Sequence, residues 1–174
     1  MPEPNRDVLV ACVGCGGLVP DIDGPVHRYM TASPGCWKNY TELMAGNIPA
    51  SPLAAMAIDA YAVTHPGVPG PQSTPSVWIH LSTLCFVLER GWPVDRAVRL
   101  RAVGADEFAA WPWLEPPSTM GAVTANDVAT AGANLGPDAA AAMMETWVEG
   151  AWEAWAAHHP AVRDRADHLS RLLD

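Results

Sequence analysis

A serine or threonine followed directly by proline opens three apolar segments of this chain, and this repeated pattern constrains the fold more than any other sequence feature. Serine and threonine are favoured helix N-caps, and proline fits the first helical position because an N–H has no helical partner there. A glycine or a His-Pro pair follows each segment, as is typical of helix ends. The pattern predicts helices over residues 33–46, 51–65 and 74–91.

The second half of the chain also carries helical patterns. Residues 93–103 read as a short amphipathic helix, and Thr124 stands three residues before Asp127, as in a capping box. A longer helix is predicted from Pro137 to about His159, with a stripe of methionine and tryptophan side chains that is typical of a core. A final helix is expected after it.

The predicted fold class is mainly α. The helix over residues 74–91 is apolar on almost every side, which is typical of the central helix of a bundle. Residues 14–27 are rich in glycine, proline and aspartate and are expected to form a loop. The sequence therefore predicts a single-domain helical bundle over residues 1–174, with an irregular N-terminal zinc knuckle and loop (residues 1–36) and the bundle proper over residues 34–174.

The charge balance limits the partners of the chain. Its formal net charge is −9, and nucleic-acid binding depends on lysine and arginine to neutralise phosphates, so a nucleic-acid partner is not expected. The chain has neither an apolar run long enough to span a bilayer nor the basic and apolar start of a secretory signal. We expect a cytoplasmic protein without a membrane partner, and a small-molecule ligand or a second copy of the chain (a homo-oligomer) stays open.

Three of the four cysteines lie close together near the N-terminus, in a pattern that favours a metal site. Cys12 and Cys15 form a Cys-x-x-Cys pair followed by two glycines, and Cys36 falls in the first turn of a predicted helix. Zinc prefers four tetrahedral cysteine or histidine ligands, and His27 lies between the pair and Cys36. The predicted first site is a zinc site, and its members are Cys12, Cys15, His27 and Cys36.

The fourth cysteine, Cys85, lies in an apolar run and is expected to be a small core residue.

Three other interpretations of the cysteines compete with the zinc site. A thioredoxin-type redox pair should open a helix, whereas this pair leads into the glycine- and proline-rich loop. A zinc deaminase needs His-x-Glu and Pro-Cys-x-x-Cys, but His27 is followed by Arg28 and Tyr29, and no proline precedes Cys12. The thiols could also be free and adjacent by chance. His27 itself is either a ligand or a catalytic group beside a three-cysteine metal.

A second group of polar residues lies on the predicted helices. Asp59 stands inside an apolar helix, where a carboxylate is costly to bury unless it is paired or binds a metal. His65 and His80, and one of His158 and His159, also lie on apolar segments. Facing helices could bring these residues together as a second metal site, with Asp59 as a ligand or an orienting group. In the alternative, each histidine is a hydrogen-bonded core residue or a helix-end residue, and Asp59 is a structural acceptor.

Six stretches of the chain resemble, in order, those of one protein family: CVGCGG, GPVHRYMTASPGCW, DAYAVTHPG, QSTPSVWIHLSTLCFVLERG, WLEPPSTMGAVTANDV and WEAWAAHHPAVR. The family they resemble is a bacterial domain of unknown function. The resemblance spans nearly the whole chain and implies a shared fold, but no activity. Members of that family more often carry glutamine before the His-Pro-Gly triplet, where this chain has Thr64.

Three functional hypotheses follow from these residues. The favoured one is a metal-dependent enzyme that acts on a small molecule, of a hydrolytic or specialised-metabolism type, with His65, His80 and Asp59 as catalytic candidates. The second is a non-catalytic module with a structural zinc site. The third is a thiol-based metal or redox sensor. An enzyme should have a pocket beside the metal or the histidines, whereas a structural module should have a closed four-ligand site.

Overall fold

The computed structural model describes residues 8–46 and 48–172, and the first seven residues of the predicted knuckle unit lie outside this range. A short N-terminal hairpin precedes a mainly helical body, as predicted for the fold class. The hairpin strands are β1 (Leu9–Ala11) and β2 (Leu18–Pro20). The helices are α1 (Pro34–Met44), α2 (Ala57–Thr64), α3 (Ser73–Leu88), α4 (Val94–Ala97), α5 (Ala125–Leu135), α6 (Pro137–Ala154) and α7 (His159–Ser170). Four 3-10 turns cover Ala54–Met56, Val98–Ala102, Ala105–Phe108 and Ala156–His158.

The hairpin corrects the expectation that residues 14–27 form only a loop. β1 and β2 pair antiparallel, with Val10 opposite Val19, and Val19 is fully buried. The connection between the strands is the knuckle, residues 12–17. Its ends are joined by a hydrogen bond from the Cys12 amide to the Gly17 carbonyl at 2.8 Å. Gly16 has φ +75°, a left-handed conformation that glycine adopts without strain.

The Ser/Thr-Pro pairs mark helix starts with different accuracy. Pro34 is the first residue of α1 and Ser33 is its extended N-cap, as predicted. The segment that begins at Ser51 instead forms a turn, in which the Ser51 hydroxyl accepts a hydrogen bond from the Leu53 amide at 3.2 Å. Serine offers the backbone this local alternative to a helix, so α2 begins only at Ala57.

The central position predicted for the third helix is seen in α3. This helix packs against α2, α6 and α7, and Cys85 on it is fully buried, as expected for a core residue. The indole N–H of Trp78 donates to the Pro112 carbonyl at 2.8 Å, and that of Trp155 donates to the Val63 carbonyl at 3.0 Å. These bonds let large apolar rings enter the core without leaving a polar group unpaired.

The C-terminal helices differ in one respect from the prediction. The capping box of Thr124 and Asp127 is present at the start of α5. The long helix predicted to reach His159 ends at Ala154, a 3-10 turn follows, and α7 begins at His159. Among the described helices, none combines the length and the apolar character needed to cross a membrane.

Candidate metal centre

Four buried side chains meet where the hairpin contacts the helices. Their potential ligand atoms, three sulfurs and the His65 Nε2 atom, all lie within 4.8 Å of one another. The Nε2 atom is 3.3 Å from the Cys36 sulfur and 3.6 Å from the Cys12 sulfur. The sulfurs of Cys15 and Cys36 are 3.9 Å apart. We call this group the Cys3His cluster; its members are Cys12, Cys15, Cys36 and His65.

Three different parts of the fold supply the members of the cluster. The knuckle supplies two cysteines, the first turn of α1 supplies Cys36, and His65 is the residue on which α2 ends. His65 has φ −134° and ψ 56°, so the chain leaves the helix there and turns the ring toward the knuckle. The knuckle is therefore tied to two helices through side chains that are far apart in sequence.

The spacing of the cluster fits one tetrahedral metal ion. Bond lengths of about 2.3 Å to sulfur and about 2.0 Å to nitrogen imply sulfur–sulfur separations of about 3.8 Å and sulfur–nitrogen separations of about 3.5 Å. The observed sulfur–sulfur distance of 3.9 Å and sulfur–nitrogen distances of 3.3 and 3.6 Å match these values. Three thiol groups and one imidazole are also the donor types that a soft or borderline metal prefers.

The imidazole of His65 is oriented by the helix that carries it. Its Nδ1 atom lies 2.8 Å from the Tyr61 carbonyl oxygen, which can only accept a hydrogen bond, so the proton is on Nδ1. The lone pair of Nε2 then faces the sulfurs. The Tyr61 ring also stacks on the imidazole, with ring centroids 3.9 Å apart. Such a carbonyl partner fixes the tautomer of a metal-binding histidine.

Two sulfurs of the cluster accept hydrogen bonds from outside it. The Ser33 amide donates to the Cys12 sulfur at 3.4 Å, and the Tyr61 hydroxyl donates to the Cys36 sulfur at 3.6 Å. Within residues 8–46 and 48–172, no group outside the cluster donates to the Cys15 sulfur. The three sulfurs are therefore not equivalent.

The pKa values in the cluster differ between its members. Hydrogen bonds from Cys15 and Cys36 hold the pKa of Cys12 well below its usual range, whereas hydrogen bonds with Cys12 and Cys15, together with burial, raise the pKa of Cys36. Burial acts to lower the pKa of His65, but its bonds to the sulfurs raise the value to about 9. Burial, followed by the nearby Cys36 charge, raises the pKa of Tyr61, which keeps its hydroxyl a donor.

Gly14 explains how the knuckle and His65 approach so closely. A Cβ atom at this position would lie 2.0 Å from the Thr31 carbonyl oxygen and 2.5 Å from the His65 Cδ2 atom. Real Cβ atoms do not make contacts this short, so any other residue here would push the knuckle away from the imidazole. The middle of the Cys-x-x-Cys sequence is thus fitted to the fourth member of the cluster.

His27 does not join the cluster, contrary to expectation. Its ring lies half-buried against Tyr29 and Trp37, with centroid distances of 4.5 and 5.2 Å, and its pKa is lowered by burial. No described residue offers its Nδ1 atom a hydrogen-bond partner. The long loop between β2 and α1 carries His27 into this aromatic contact, and the place expected for it is taken by His65.

Asp59 and His80 form an ion-pair group instead of a second metal site. Asp59 is fully buried, and its Oδ1 atom lies 2.8 Å from the Nδ1 atom of His80. The Arg101 guanidinium bonds to both carboxylate oxygens and also donates to the Ala55 carbonyl at 2.7 Å. Because Arg101 neutralises the carboxylate, Asp59 needs no metal ion. We call these residues the Asp59–Arg101–His80 group.

The other predicted histidines lie apart from both groups. Of the adjacent pair, His159 is the buried one: its Nε2 atom is 3.0 Å from the Trp152 carbonyl oxygen and its ring stacks on the Trp152 indole. His158 is half-buried, and its Nε2 atom lies 2.8 Å from the Glu115 carbonyl oxygen. Among the described residues, the Cys3His cluster is the one group of metal-ligand side chains that converges.

A cleft of about 610 Å³ adjoins the cluster. The knuckle, with both cysteines of the pair, and Leu18 of β2 line one side of it. Residues of the segment 117–127 line the rest. Asn126 closes one end, since its side-chain amide donates to the Leu18 carbonyl at 2.8 Å. We call this space the knuckle cleft.

The chain was compared with known proteins by family and by individual match. A family model described as a family of unknown function (DUF5946) matches residues 10–156. No curated protein matches the chain, and no solved structure matches it either. The matched range contains all four members of the Cys3His cluster.

Proposed function

The chain belongs to the family of unknown function DUF5946, and since that description names no activity, we propose from the site itself that the chain is a zinc-binding protein with a structural Cys3His site. The observation that carries this proposal is the convergence of three sulfurs and one oriented imidazole nitrogen within 4.8 Å. Zinc is the metal that most often takes this donor set in a closed tetrahedral site.

The arrangement of the ligands favours a structural rather than a catalytic metal. Catalytic zinc keeps one position open for water or substrate, whereas four protein side chains fill a tetrahedron. The four residues are also buried, with exposed fractions between 1% and 9%. With zinc bound, the site would hold the knuckle against α1 and α2, and the two ends of this cross-link would be fixed by the Ser33 amide and the Tyr61 carbonyl.

The experiment that tests this proposal is metal content per chain, measured by elemental mass spectrometry on untagged protein. We expect about one zinc per chain, lost in a His65→Ala variant, because three thiolates alone hold the ion less tightly. His27→Ala is the matched control: it removes a histidine from the same end of the molecule, yet it should keep the metal. Zinc that survives in His65→Ala and disappears in His27→Ala would contradict the assignment, and folded parent protein without metal would refute it.

A second candidate function, an enzyme acting on a small molecule, is favoured by the knuckle cleft. Its volume of about 610 Å³ falls in the range of small-molecule sites, about 300–1,000 Å³. Ser118, Thr119 and Thr124 are among its lining residues, together with the cysteine pair. The catalytic roles of Asp59 and His80 stay predictions. The ion pair with Arg101 is a structural role that explains the burial of Asp59 without catalysis. Thermal-shift screening of zinc-loaded protein with small polar metabolites would test for a ligand.

A further inference from the structure

The knuckle cleft is lined by two of the three cysteines of the Cys3His cluster. Both Cys12 and Cys15 contribute to the wall of the cleft. Cys15 is the most exposed member of the cluster at 9%, compared with 3% for Cys12 and 1% for Cys36. A small molecule that entered the cleft would therefore lie beside the most exposed of the three cysteines.

The hydrogen bonds of the cluster also single out Cys15. A donor that points at a thiolate stabilises its negative charge and reduces the availability of its electron pair. The Cys12 sulfur accepts the Ser33 amide, and the Cys36 sulfur accepts the Tyr61 hydroxyl. In the described part of the chain, the Cys15 sulfur has no donor outside the cluster, so it keeps the most nucleophilic electron pair of the three.

The charge around the cleft selects the kind of molecule that can approach. Three thiolates, one neutral imidazole and a divalent zinc ion together carry one negative charge. Asp127 adds a carboxylate to the lining, and the described lining residues include no lysine, arginine or histidine. Like charges repel across a partly enclosed site, so the cleft disfavours anions and admits uncharged molecules.

We propose that Cys15, as a zinc-bound thiolate, is the site at which small uncharged carbon electrophiles alkylate this protein. The inference rests on the zinc site proposed above. The sulfur electron pair forms a bond to the electrophilic carbon, the bond from that carbon to its leaving group breaks, and the leaving group departs as an anion with the bonding pair. No oxidant or reductant takes part, and the substrate class is an alkylating agent that fits the knuckle cleft.

The test uses zinc-loaded full-length protein and iodoacetamide as the probe, with the modified cysteine identified by peptide mass mapping over time. We expect Cys15 to react at least about tenfold faster than Cys12 and Cys36, and Cys85 to stay unmodified because it is fully buried. Iodoacetate, the anionic analogue, should alkylate Cys15 more slowly than iodoacetamide does. The ratio of these two rates should be larger for Cys15 than for glutathione, which serves as a free-thiol reference. First reaction at Cys12 or Cys36 would overturn the proposal.

Two further measurements keep this proposal separate from the zinc assignment. Zinc content is measured first, and its absence would refute the zinc site itself. With zinc bound, the alkylation rate should not change when excess free zinc is added. A rate that falls as free zinc rises would mean that the metal-free thiols react, and the proposal would be wrong.

A pair of variants tests the role of the cleft. Thr119→Trp adds a large ring to the lining of the cleft and should slow alkylation at least about fivefold without loss of zinc, because access controls thiol reactivity. Thr130→Trp is the matched control, since Thr130 is exposed on α5 outside the cleft and its replacement should leave the rate unchanged. Equal alkylation rates in the two variants would contradict approach through the cleft.

Discussion

The two buried polar groups at the ends of α2 differ in the partners that surround them. Asp59, in the first turn of this helix, is a buried carboxylate whose charge is neutralised by the guanidinium of Arg101. His65, at the other end, belongs to the Cys3His cluster, whose sulfurs accept hydrogen bonds from the Ser33 amide and the Tyr61 hydroxyl. In the described residues, no lysine or arginine side chain bonds to these sulfurs.

The two groups differ in what they contain: the Asp59 carboxylate has a guanidinium partner, whereas the Cys3His cluster could hold a metal ion. A buried anion without a partner is costly, so a folded chain either supplies a positive side chain or binds a metal ion. The Asp59–Arg101–His80 group is complete with its own side chains. In the zinc site proposed above, the three thiols of the Cys3His cluster release their protons when the ion binds. Four experiments test this contrast, and they follow from the largest expected effect to the smallest.

Metal removal should affect the cluster alone. If free zinc is a thousand times its Kd, loss of the ion removes about 4 kcal/mol of stability, so a strong chelator should lower the Tm by several degrees or more. Differential scanning calorimetry with and without chelator measures the shift, and re-addition of zinc should reverse it. A chelator-treated chain that keeps its Tm would show that the cluster is stable as free thiols.

Removal of the internal cation should affect the other group alone. Arg101→Met leaves the Asp59 carboxylate buried with only His80 beside it, and breaking a buried pair in this way costs about 3–5 kcal/mol. We expect a loss of stability at the low end of this range, because the Arg101 side chain is partly exposed to solvent. Urea unfolding of zinc-loaded protein measures the change.

The control for this experiment removes both charges. The double variant Asp59→Asn/Arg101→Met should recover part of the lost stability, since no unpaired carboxylate remains. Zinc content should be unchanged in both variants. Loss of zinc on Arg101→Met would show that the two ends of α2 are coupled, which the contrast excludes.

The Tyr61 hydroxyl should affect the metal affinity of the cluster but not the stability of the fold. Tyr61→Phe removes the donor to the Cys36 sulfur, and loss of such a supporting bond lowers metal affinity by about tenfold or more. Tyr40→Phe is the matched control. The Tyr40 ring stacks on the Tyr61 ring with centroids 3.7 Å apart, and no hydrogen bond in the described residues joins Tyr40 to a cluster sulfur.

Two measurements read out this effect. Competition with a chelating dye gives the zinc affinity, and absorption of the cobalt-substituted protein reports on the Cys36 thiolate directly. Only Tyr61→Phe should shift the thiolate-to-cobalt band to lower energy, because the sulfur electrons are then less stabilised. Equal effects of the two substitutions would assign Tyr61 a packing role alone.

Alkaline pH should weaken the fold slightly through Tyr40. Burial, followed by the nearby Asp59 charge, raises the pKa of Tyr40 to about 12 in the folded chain, whereas an unfolded tyrosine ionises near about 10. The unfolded state therefore releases its proton first. The stability that Tyr40 contributes is complete below about pH 10 and is lost as the pH rises toward about 12. Unfolding in urea across this range should show a steeper loss for the parent than for Tyr40→Phe, and parallel curves would contradict the buried phenol.

Much of the fold could be predicted because its signals are local. The start of α1 at Pro34 and the capping box at Thr124 are read from a few adjacent residues whose backbone preferences are strong. Errors arose where a local signal had a competing use. Ser51 closes a turn with its own hydroxyl, and the helix predicted to reach His159 is interrupted after Ala154.

The candidate site was predictable only in part. The spacing of Cys12 and Cys15 identifies a metal-binding turn, because two residues between cysteines let one tight turn present both sulfurs. His65 was assigned to the wrong group of residues. A possible signal was Gly14, whose missing side chain accommodates the His65 ring, but that relation is visible only once the two segments are packed together.

The sequence by itself determined where α1 and α5 begin and which cysteines form a close pair, since each depends on residues within a turn of one another. Only the tertiary structure decided that His65, 29 positions after Cys36, completes the cluster, and that Arg101, 42 positions after Asp59, neutralises the carboxylate. These partners are chosen by how α2 packs against the knuckle and against the turn that carries Arg101. That packing minimises unpaired buried charge over the whole molecule, and no short stretch of sequence contains this information.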